Sequence, residues 1–153
     1  MTIRNLEHAI NPRSVAVIGA SSRDGAVGAV VMRNIIEGGY EGKIYPVNPK
    51  YTDVFGKSCF STIADLPEPP DLAVLVTPPA TIPGLIGELA ARGNRAAVVI
   101  TAGLTSANGL RQKMLDAARP HLYRIIGPNT VGLVLPHARL NASFAHMMPE
   151  AGS

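Results

Sequence analysis

The sequence is poor in the residues on which disulfides, metal sites and aromatic stacking depend. Its single cysteine, Cys59, excludes an intrachain disulfide and a cysteine-based metal site. Tryptophan is absent, aromatic residues make up 5%, and the basic residues are scattered, so the footprint of a nucleic-acid-binding protein is missing. The longest apolar runs, such as residues 15–20, are far short of the roughly 18 residues that span a membrane. We therefore expect a cytoplasmic protein that binds neither nucleic acid nor membrane.

The sequence contains enough hydrophobic residues to form one packed core. Of its 153 residues, 46% are hydrophobic and 16% are charged, which is typical of a single globular domain. The net charge of +3 is modest and suits an anionic small ligand. Residues 146–153 lose all periodicity, and we interpret them as a cut through a longer chain, with a flexible natural terminus as the alternative.

Short apolar runs alternate with longer amphipathic stretches along the chain, a pattern typical of parallel α/β units. It predicts a Rossmann-like, doubly wound α/β domain with a mostly parallel sheet. The predicted strands are residues 14–20, 43–48, 71–76, 96–100, 123–126 and 133–135, all in that sheet. The predicted helices are residues 27–37, 80–92 and 106–119, with a short edge segment at 55–60 and one helical turn at 61–66.

A glycine-rich turn joins the first predicted strand to the first predicted helix. Such a turn aims free backbone N–H groups and the positive end of the helix dipole at one point, which suits a phosphate. Gly19 would allow the tight turn, Gly25 the close approach of a pyrophosphate, and Gly28 close packing of helix on sheet. Ser21 and Ser22 would add hydroxyl donors. The alternative, that the glycines merely turn the chain, is less favoured directly after a buried strand.

The end of the second predicted strand bears on which nucleotide binds. An NAD-binding domain places an acidic residue there for the ribose 2′-hydroxyl. This chain has Asn48 instead, with Lys50 two residues further on. A cation there fits an additional ribose phosphate, that of NADP or the 3′-phosphate of coenzyme A. A solvated surface lysine is the other interpretation.

Three further loops follow predicted strands and are expected at the same edge of the sheet. Val76, Pro78 and Pro79 belong to a rigid loop that offers an apolar wall to an adenine ring, or simply stops the strand. Thr101 follows the fourth strand and Asn129 the fifth. Ligands of open α/β folds bind at this edge, so the loops predict one shared crevice.

Several of these segments, in this order, resemble one known family. They are SVAVIGAS at residues 14–21, YPVNPK at 45–50, DLP at 65–67, DLAV at 71–74, GPN at 127–129 and LNASF at 140–144. The chain resembles, from about residue 10 to residue 152, the CoA-binding domain of NDP-forming acyl-CoA synthetases. It is similar also to the domains that open bacterial protein lysine acetyltransferases with a synthetase-like region, and more distantly to the α subunit of succinyl-CoA synthetase.

The resemblance implies that coenzyme A, free or as acyl-CoA, is the ligand. The glycine-rich turn, Lys50 with Asn48, and the proline loop would hold the phosphates and adenosine, with Thr101 and Asn129 nearer the pantetheine. One departure is Thr130, where the family usually has cysteine, which puts a thiol-dependent role at that position in doubt.

The resemblance also implies that catalysis lies elsewhere. The synthetases carry a phosphohistidine domain and an ATP-grasp domain, both expected downstream of this segment, so we expect no catalytic and no metal-binding residues here. His8, His121, His137 and His146 have no carboxylate at a recognisable spacing, and we interpret them as surface or packing residues. Two alternatives stay open: a CoA- or acetyl-CoA-sensing domain of a fused acetyltransferase, and an NADP-binding domain.

Overall fold

A computed structural model describes residues 5–145. Its centre is a parallel five-stranded sheet, built of β1 (Ser14–Ile18), β2 (Lys43–Val47), β5 (Leu72–Leu75), β6 (Ala96–Val99) and β7 (Arg124–Ile126). The strand order is β2-β1-β5-β6-β7. The Rossmann-like parallel architecture expected from the sequence is confirmed.

Both faces of the sheet are covered, because alternate residues of each strand point to opposite sides. On one face Ala16 and Ile18 of β1 pack with α3 (Ile82–Ala91) and α4 (Leu110–Ala118). On the other, Val15 and Val17 pack with α2 (Val27–Glu37). The short helix α1 (Leu6–Ile10), which the sequence did not predict, adds buried Ala9 to this second core.

The prediction that residues 133–135 complete the main sheet is wrong. They belong to β8 (Gly132–Leu135), which pairs antiparallel with β9 (Leu140–Ser143) in a separate two-stranded sheet. A sixth parallel strand would need a crossover of a dozen or more residues, and only five separate β7 from β8. A turn at Pro136–Ala138 instead reverses the chain.

The predicted edge segment at residues 55–60 is partly a hairpin. Its strands are β3 (Asp53–Val54) and β4 (Lys57–Ser58), and only Phe60 bridges in parallel to Val47 of β2. The predicted helical turn is confirmed as Ile63–Asp65, closed by a reciprocal capping box between Thr62 and Asp65.

Two helices begin later than predicted because polar turns precede them. Before α4, the side chain of Asn108 accepts hydrogen bonds from the backbone N–H groups of Thr105 and Leu110, and Gly109 has a φ of 73°. Before α3, a single turn at Pro79–Thr81 comes first.

Within residues 5–145 the helices are all too short or too polar to cross a membrane. The same residues contain no group of three or more metal-ligating side chains.

Candidate functional site

The site lies where the order of strands reverses. β1 and β5 are neighbours in the sheet, and the chain proceeds outward from them in opposite directions, to β2 and to β6. The loops that leave the carboxyl ends of β1 and β5 therefore diverge and leave a crevice between them, which is the usual ligand site of an open α/β sheet.

The glycine turn after β1 is shaped by two close approaches of the backbone. Gly19 has a φ of 98°, which favours glycine, and its N–H donates to the carbonyl of Val47 at 2.9 Å. A Cβ atom on Gly28 would overlap the carbonyl oxygen of Gly19. The first turn of α2 therefore packs directly on the turn, as the sequence predicted for Gly28.

The amino end of α2 is available to an anion. The N-cap residue is Ala26, and no side chain among the described residues provides a cap hydrogen bond there. The amides of the first helical turn thus lack the usual side-chain acceptor and point, with the helix dipole, at the crevice.

Ser21 carries the buried polar side chain of the turn. It is 8% exposed, and its Oγ accepts a hydrogen bond from the N–H of Arg23 at 2.9 Å. The same Oγ lies 3.1 Å from the hydroxyl oxygen of Tyr51, which follows β2. These contacts fix the Ser21 side chain and tie the glycine turn to the neighbouring loop.

Asn48 makes a second connection between the two loops. Its Nδ2 donates to the carbonyl of Ala20 at 2.8 Å, and its Oδ1 accepts from the N–H of Lys50 at 2.9 Å. The backbone of Lys50 is thus fixed, while the residue as a whole is exposed to solvent at the wall of the crevice.

A cavity of about 430 Å³, here called the turn cavity, opens between these loops. Both cations at its wall, Arg23 and Lys50, face a lining that contains no carboxylate. Its lining is Gly19, Ser21, Arg23, Ala26, Val27, Gly28, Asn48, Lys50, Tyr51 and Val76. Two cations, a helix amino terminus and two hydroxyls around one space suit phosphate groups.

Two further cavities continue from it. The proline cavity, of about 390 Å³, has mainly apolar walls that include Pro49, Pro78, Ile63 and Leu85, with Gly19 and Asn48 in common with the turn cavity. The threonine cavity, of about 580 Å³, is lined by residues that include Thr101, Asn129, Val131 and Phe144, with Val27 and Val76 in common with the turn cavity. The three cavities form one crevice along the carboxyl edge of the sheet.

Hydrogen bonds join the loops on the far side of the crevice as well. The hydroxyl of Thr101 donates to the carbonyl of Thr77 at 2.7 Å, and the N–H of Asn129 donates to the carbonyl of Thr101 at 3.0 Å. The loops after β5, β6 and β7 are therefore held in a fixed arrangement.

The structure brings most of the predicted site residues together at this crevice. Those that line it are Gly19, Ser21, Gly28, Asn48, Lys50, Val76, Pro78, Thr101 and Asn129. Ser22, Gly25 and Pro79 do not line these cavities: the first two are exposed on the outer side of the turn, and Pro79 packs near Gly103. A ligand role for each of the twelve stays a prediction.

Sequence reasoning missed two polar residues of the turn cavity, Arg23 and Tyr51, and its apolar lining residues Ala26 and Val27. Arg23 carried a usable signal, because it is a cation inside the glycine-rich turn itself. Tyr51 lies 30 residues from Ser21 in the chain, and only the pairing of β1 with β2 brings the two together.

The three described histidines, His8, His121 and His137, do not line the crevice. His8 does have a carboxylate nearby, since its Nδ1 lies 3.6 Å from Asp71 Oδ1 at the amino end of the sheet. His137 contacts the carbonyl of Ile10 at 2.8 Å, and His146 lies outside the described residues. Cys59 is half-buried, and burial raises the pKa of its thiol, which suits a packing role.

Comparison with known proteins supplies the identity of the domain. Residues 13–136, most of the chain, match the family described as "CoA binding domain". The chain is 40% identical over 149 residues to the ADP-forming acetate–CoA ligase of Methanocaldococcus jannaschii, covering 96% of this chain and 21% of that protein. It is 38% identical to the α subunit of ADP-forming acetate–CoA ligase I of Pyrococcus furiosus, covering 92% of this chain and 32% of that subunit.

Solved structures agree with this. The acetyl-coenzyme A synthetase 1 of Ca. Korarchaeum cryptofilum, in its apo form, superposes with a TM-score of 0.83 at 36% identity. The match covers 91% of this chain and 31% of that one. The same protein in complex with phosphate and ADP gives a TM-score of 0.84.

The chain thus spans between about a fifth and a third of the proteins that it resembles. Within that span the sequence match, the parallel fold and the order of the loops agree. The chain belongs to the CoA-binding domain family, as the type of domain found in ADP-forming acyl-CoA synthetases.

Proposed function

We propose that the crevice holds coenzyme A with its diphosphate in the turn cavity, its adenine in the proline cavity and its pantetheine along the threonine cavity. The observation that carries this arrangement is the turn cavity, where two cations and the amino end of α2 meet and no carboxylate lines the wall. Phosphate groups are the part of CoA that such a lining stabilises best.

The two neighbouring cavities suit the remaining parts of the ligand. Pro78, Ile63 and Leu85 give the proline cavity the flat apolar walls that an aromatic base needs. The threonine cavity combines polar groups of Thr101 and Asn129 with apolar surface from Val131 and Phe144. A pantetheine arm, with amide groups spaced by methylenes, matches that mixture.

Lys50 would bind the 3′-phosphate of CoA and so distinguish CoA from dephospho-CoA. It stands at the mouth of the turn cavity, on the side of the β2 loop, and Asn48 fixes its backbone. Arg23, on the opposite loop, would face the diphosphate. The chain itself would hold and orient the ligand, so that its thiol is presented to groups outside this domain.

In the whole protein we propose that this positioning serves acyl-CoA formation, with phosphohistidine and ATP-grasp domains as the partners. The named relatives are acetate–CoA ligases, which favours this over a CoA- or acetyl-CoA-sensing acetyltransferase. The product acyl-CoA would occupy the same crevice, with its acyl group beyond the pantetheine. Because CoA is an intracellular cofactor, the proposal includes a cytoplasmic location.

Calorimetric titration with CoA, dephospho-CoA, NADP and NAD tests the proposal. We expect CoA to bind most tightly and dephospho-CoA more weakly, since only CoA carries the phosphate that Lys50 would contact. Tighter binding of NADP than of CoA would overturn the proposed ligand arrangement. Equal binding of CoA and dephospho-CoA would remove the role of Lys50 alone.

A further inference from the structure

The Ser21–Tyr51 pair stands out as a hydrogen bond between two loops that both face the turn cavity. The two hydroxyl oxygens are 3.1 Å apart, and both residues line the cavity. Tyr51 is the member that no motif of the sequence marks. What Tyr51 does to the neighbouring Ser21 depends on which of the two hydroxyls donates the hydrogen bond.

The other hydrogen bonds of Ser21 Oγ favour one direction for the bond between Ser21 and Tyr51. Its Oγ has two lone pairs and one hydrogen. One lone pair already accepts the N–H of Arg23 at 2.9 Å. A phenol is a stronger acid than an alkyl hydroxyl and thus the stronger donor, so the Tyr51 hydroxyl donates to the second lone pair. The hydrogen of Ser21 is then the group left to donate into the turn cavity.

We propose that Tyr51 is a positioning residue that orients the Ser21 hydroxyl toward a phosphate of the diphosphate. The inference rests on the proposed function and deepens it. Two donors on one oxygen also polarise the Ser21 O–H bond and strengthen its own donation to an anion. Tyr51 thereby acts on the ligand through Ser21, although it lies on the loop that carries Lys50.

The first test measures the affinities of Tyr51→Phe for CoA and for dephospho-CoA. Removing one hydroxyl should lower both affinities by the same factor, about fivefold, because both ligands retain the diphosphate and a bond to a charged group is stronger than a neutral one. The preference for CoA over dephospho-CoA should stay at its wild-type value. A collapse of that preference would show that Tyr51 merely supports the loop of Lys50, and would overturn the inference.

A double-mutant cycle separates action through Ser21 from direct contact. Ser21→Ala should lower CoA affinity by about tenfold, and adding Tyr51→Phe to it should have no further effect. If the Tyr51→Phe loss persists in the Ser21→Ala background, Tyr51 contacts the ligand itself or acts by another path, and the inference is wrong. An affinity of Tyr51→Phe equal to that of the wild type would also overturn it.

Tyr40→Phe is the matched control. The Tyr40 hydroxyl also makes a hydrogen bond across loops, to the carbonyl of Pro12 at 2.9 Å, but at the amino end of the sheet. We expect it to leave CoA affinity unchanged. Failure of the wild-type domain to bind CoA at all would count against the proposed function, whereas normal wild-type binding with an unaffected Tyr51→Phe would count against this inference only.

Discussion

The carbonyl oxygen of Gly19 occupies the space where residue 28 would carry its Cβ atom. The first turn of α2 can therefore reach the end of β1 only with glycine at position 28. This contact sets the distance between the helix amino terminus and the turn, and hence the depth of the turn cavity.

We expect Gly28→Ala to lower the free energy of unfolding by roughly 1–3 kcal/mol, because the backbone of Gly19 or the start of α2 must move to admit the methyl group. CoA affinity should fall with it. Urea unfolding and calorimetry measure the two effects. Gly84→Ala is the control, since a Cβ at Gly84 in α3 meets nothing within 4 Å. That change should be neutral or stabilising, because alanine favours a helix over glycine. Equal stability of Gly28→Ala and the wild type would contradict the packing argument.

Lys50→Gln should weaken CoA binding by roughly tenfold, the loss of about 1.4 kcal/mol expected for one partly solvated charge-assisted contact. Its effect on dephospho-CoA should be small, because that ligand lacks the 3′-phosphate. Raising the salt concentration should reduce the wild-type preference for CoA. Lys57→Gln removes an exposed cation from β4, away from the crevice, and should leave both affinities as they are. A similar loss for both ligands with Lys50→Gln would assign the lysine to the diphosphate instead.

Leu140 of β9 is fully buried against the core that contains α2. Leu140→Ala should cost about 2–5 kcal/mol of unfolding free energy, the range for truncating a buried leucine. Leu122→Ala makes the same chemical change at a side chain that is 53% exposed and should cost far less. Denaturant unfolding of both variants makes the comparison. Similar midpoints would mean that the β8–β9 pair contributes little to the folded state.

Two tyrosines whose pKa values are raised by burial predict a loss of stability at high pH. Burial raises the pKa of Tyr40 to about 12, with the nearby Asp71 carboxylate adding to the effect. Burial and the hydrogen bond to Glu68, 2.7 Å long, raise the pKa of Tyr45 to about 12. The unfolded chain releases these protons near pH 10, so the folded state binds more protons between about pH 10 and 12, and its stability falls as the pH rises through that window.

Unfolding free energies at a series of pH values between 9 and 12 measure this slope, with phenolate absorbance as a direct readout of the tyrosines. The Tyr40→Phe and Tyr45→Phe variants should each show a shallower decline than the wild type. An unchanged slope in both variants would show that other groups, such as the lysines, account for the loss.

The parts of the fold that could be predicted were those specified by local pattern. The apolar run of β1, the glycine turn and the helical turn at residues 61–66 each lie within a few consecutive residues, so they could be predicted directly from the sequence. The partner of β8 could not be found in this way, because its three-residue apolar stretch fits a parallel or an antiparallel neighbour equally well. The short length of the preceding connection was the signal that favoured the antiparallel pair.

The residues of the candidate site likewise fall into those that could be predicted from local pattern and those that could not. Lys50 and Pro78 follow strand ends, and the carboxyl ends of parallel strands meet at one edge, so their convergence followed from topology, whereas Pro79 does not line the cavities. Tyr51 depends instead on side-chain contact across two loops, which the pattern of apolar residues does not encode. The carboxylate beside His8 could not be predicted for that reason too, since Asp71 is distant in sequence and comes near His8 only through the packing of α1 at the amino end of the sheet.

The pairing of β9 has a practical consequence for where this domain can be divided. The family match ends at residue 136, before β9 begins at Leu140. Yet Leu140 and Ala142 are fully buried, and Asn34 in the middle of α2 donates to the carbonyls of Ser143 and Ala145, each at 2.9 Å. A fragment trimmed to the matched residues would expose the surface that β9 covers on α2, the helix whose first turn lines the turn cavity. The unit that folds therefore extends past the residues matched by the CoA-binding family, by at least the length of one strand.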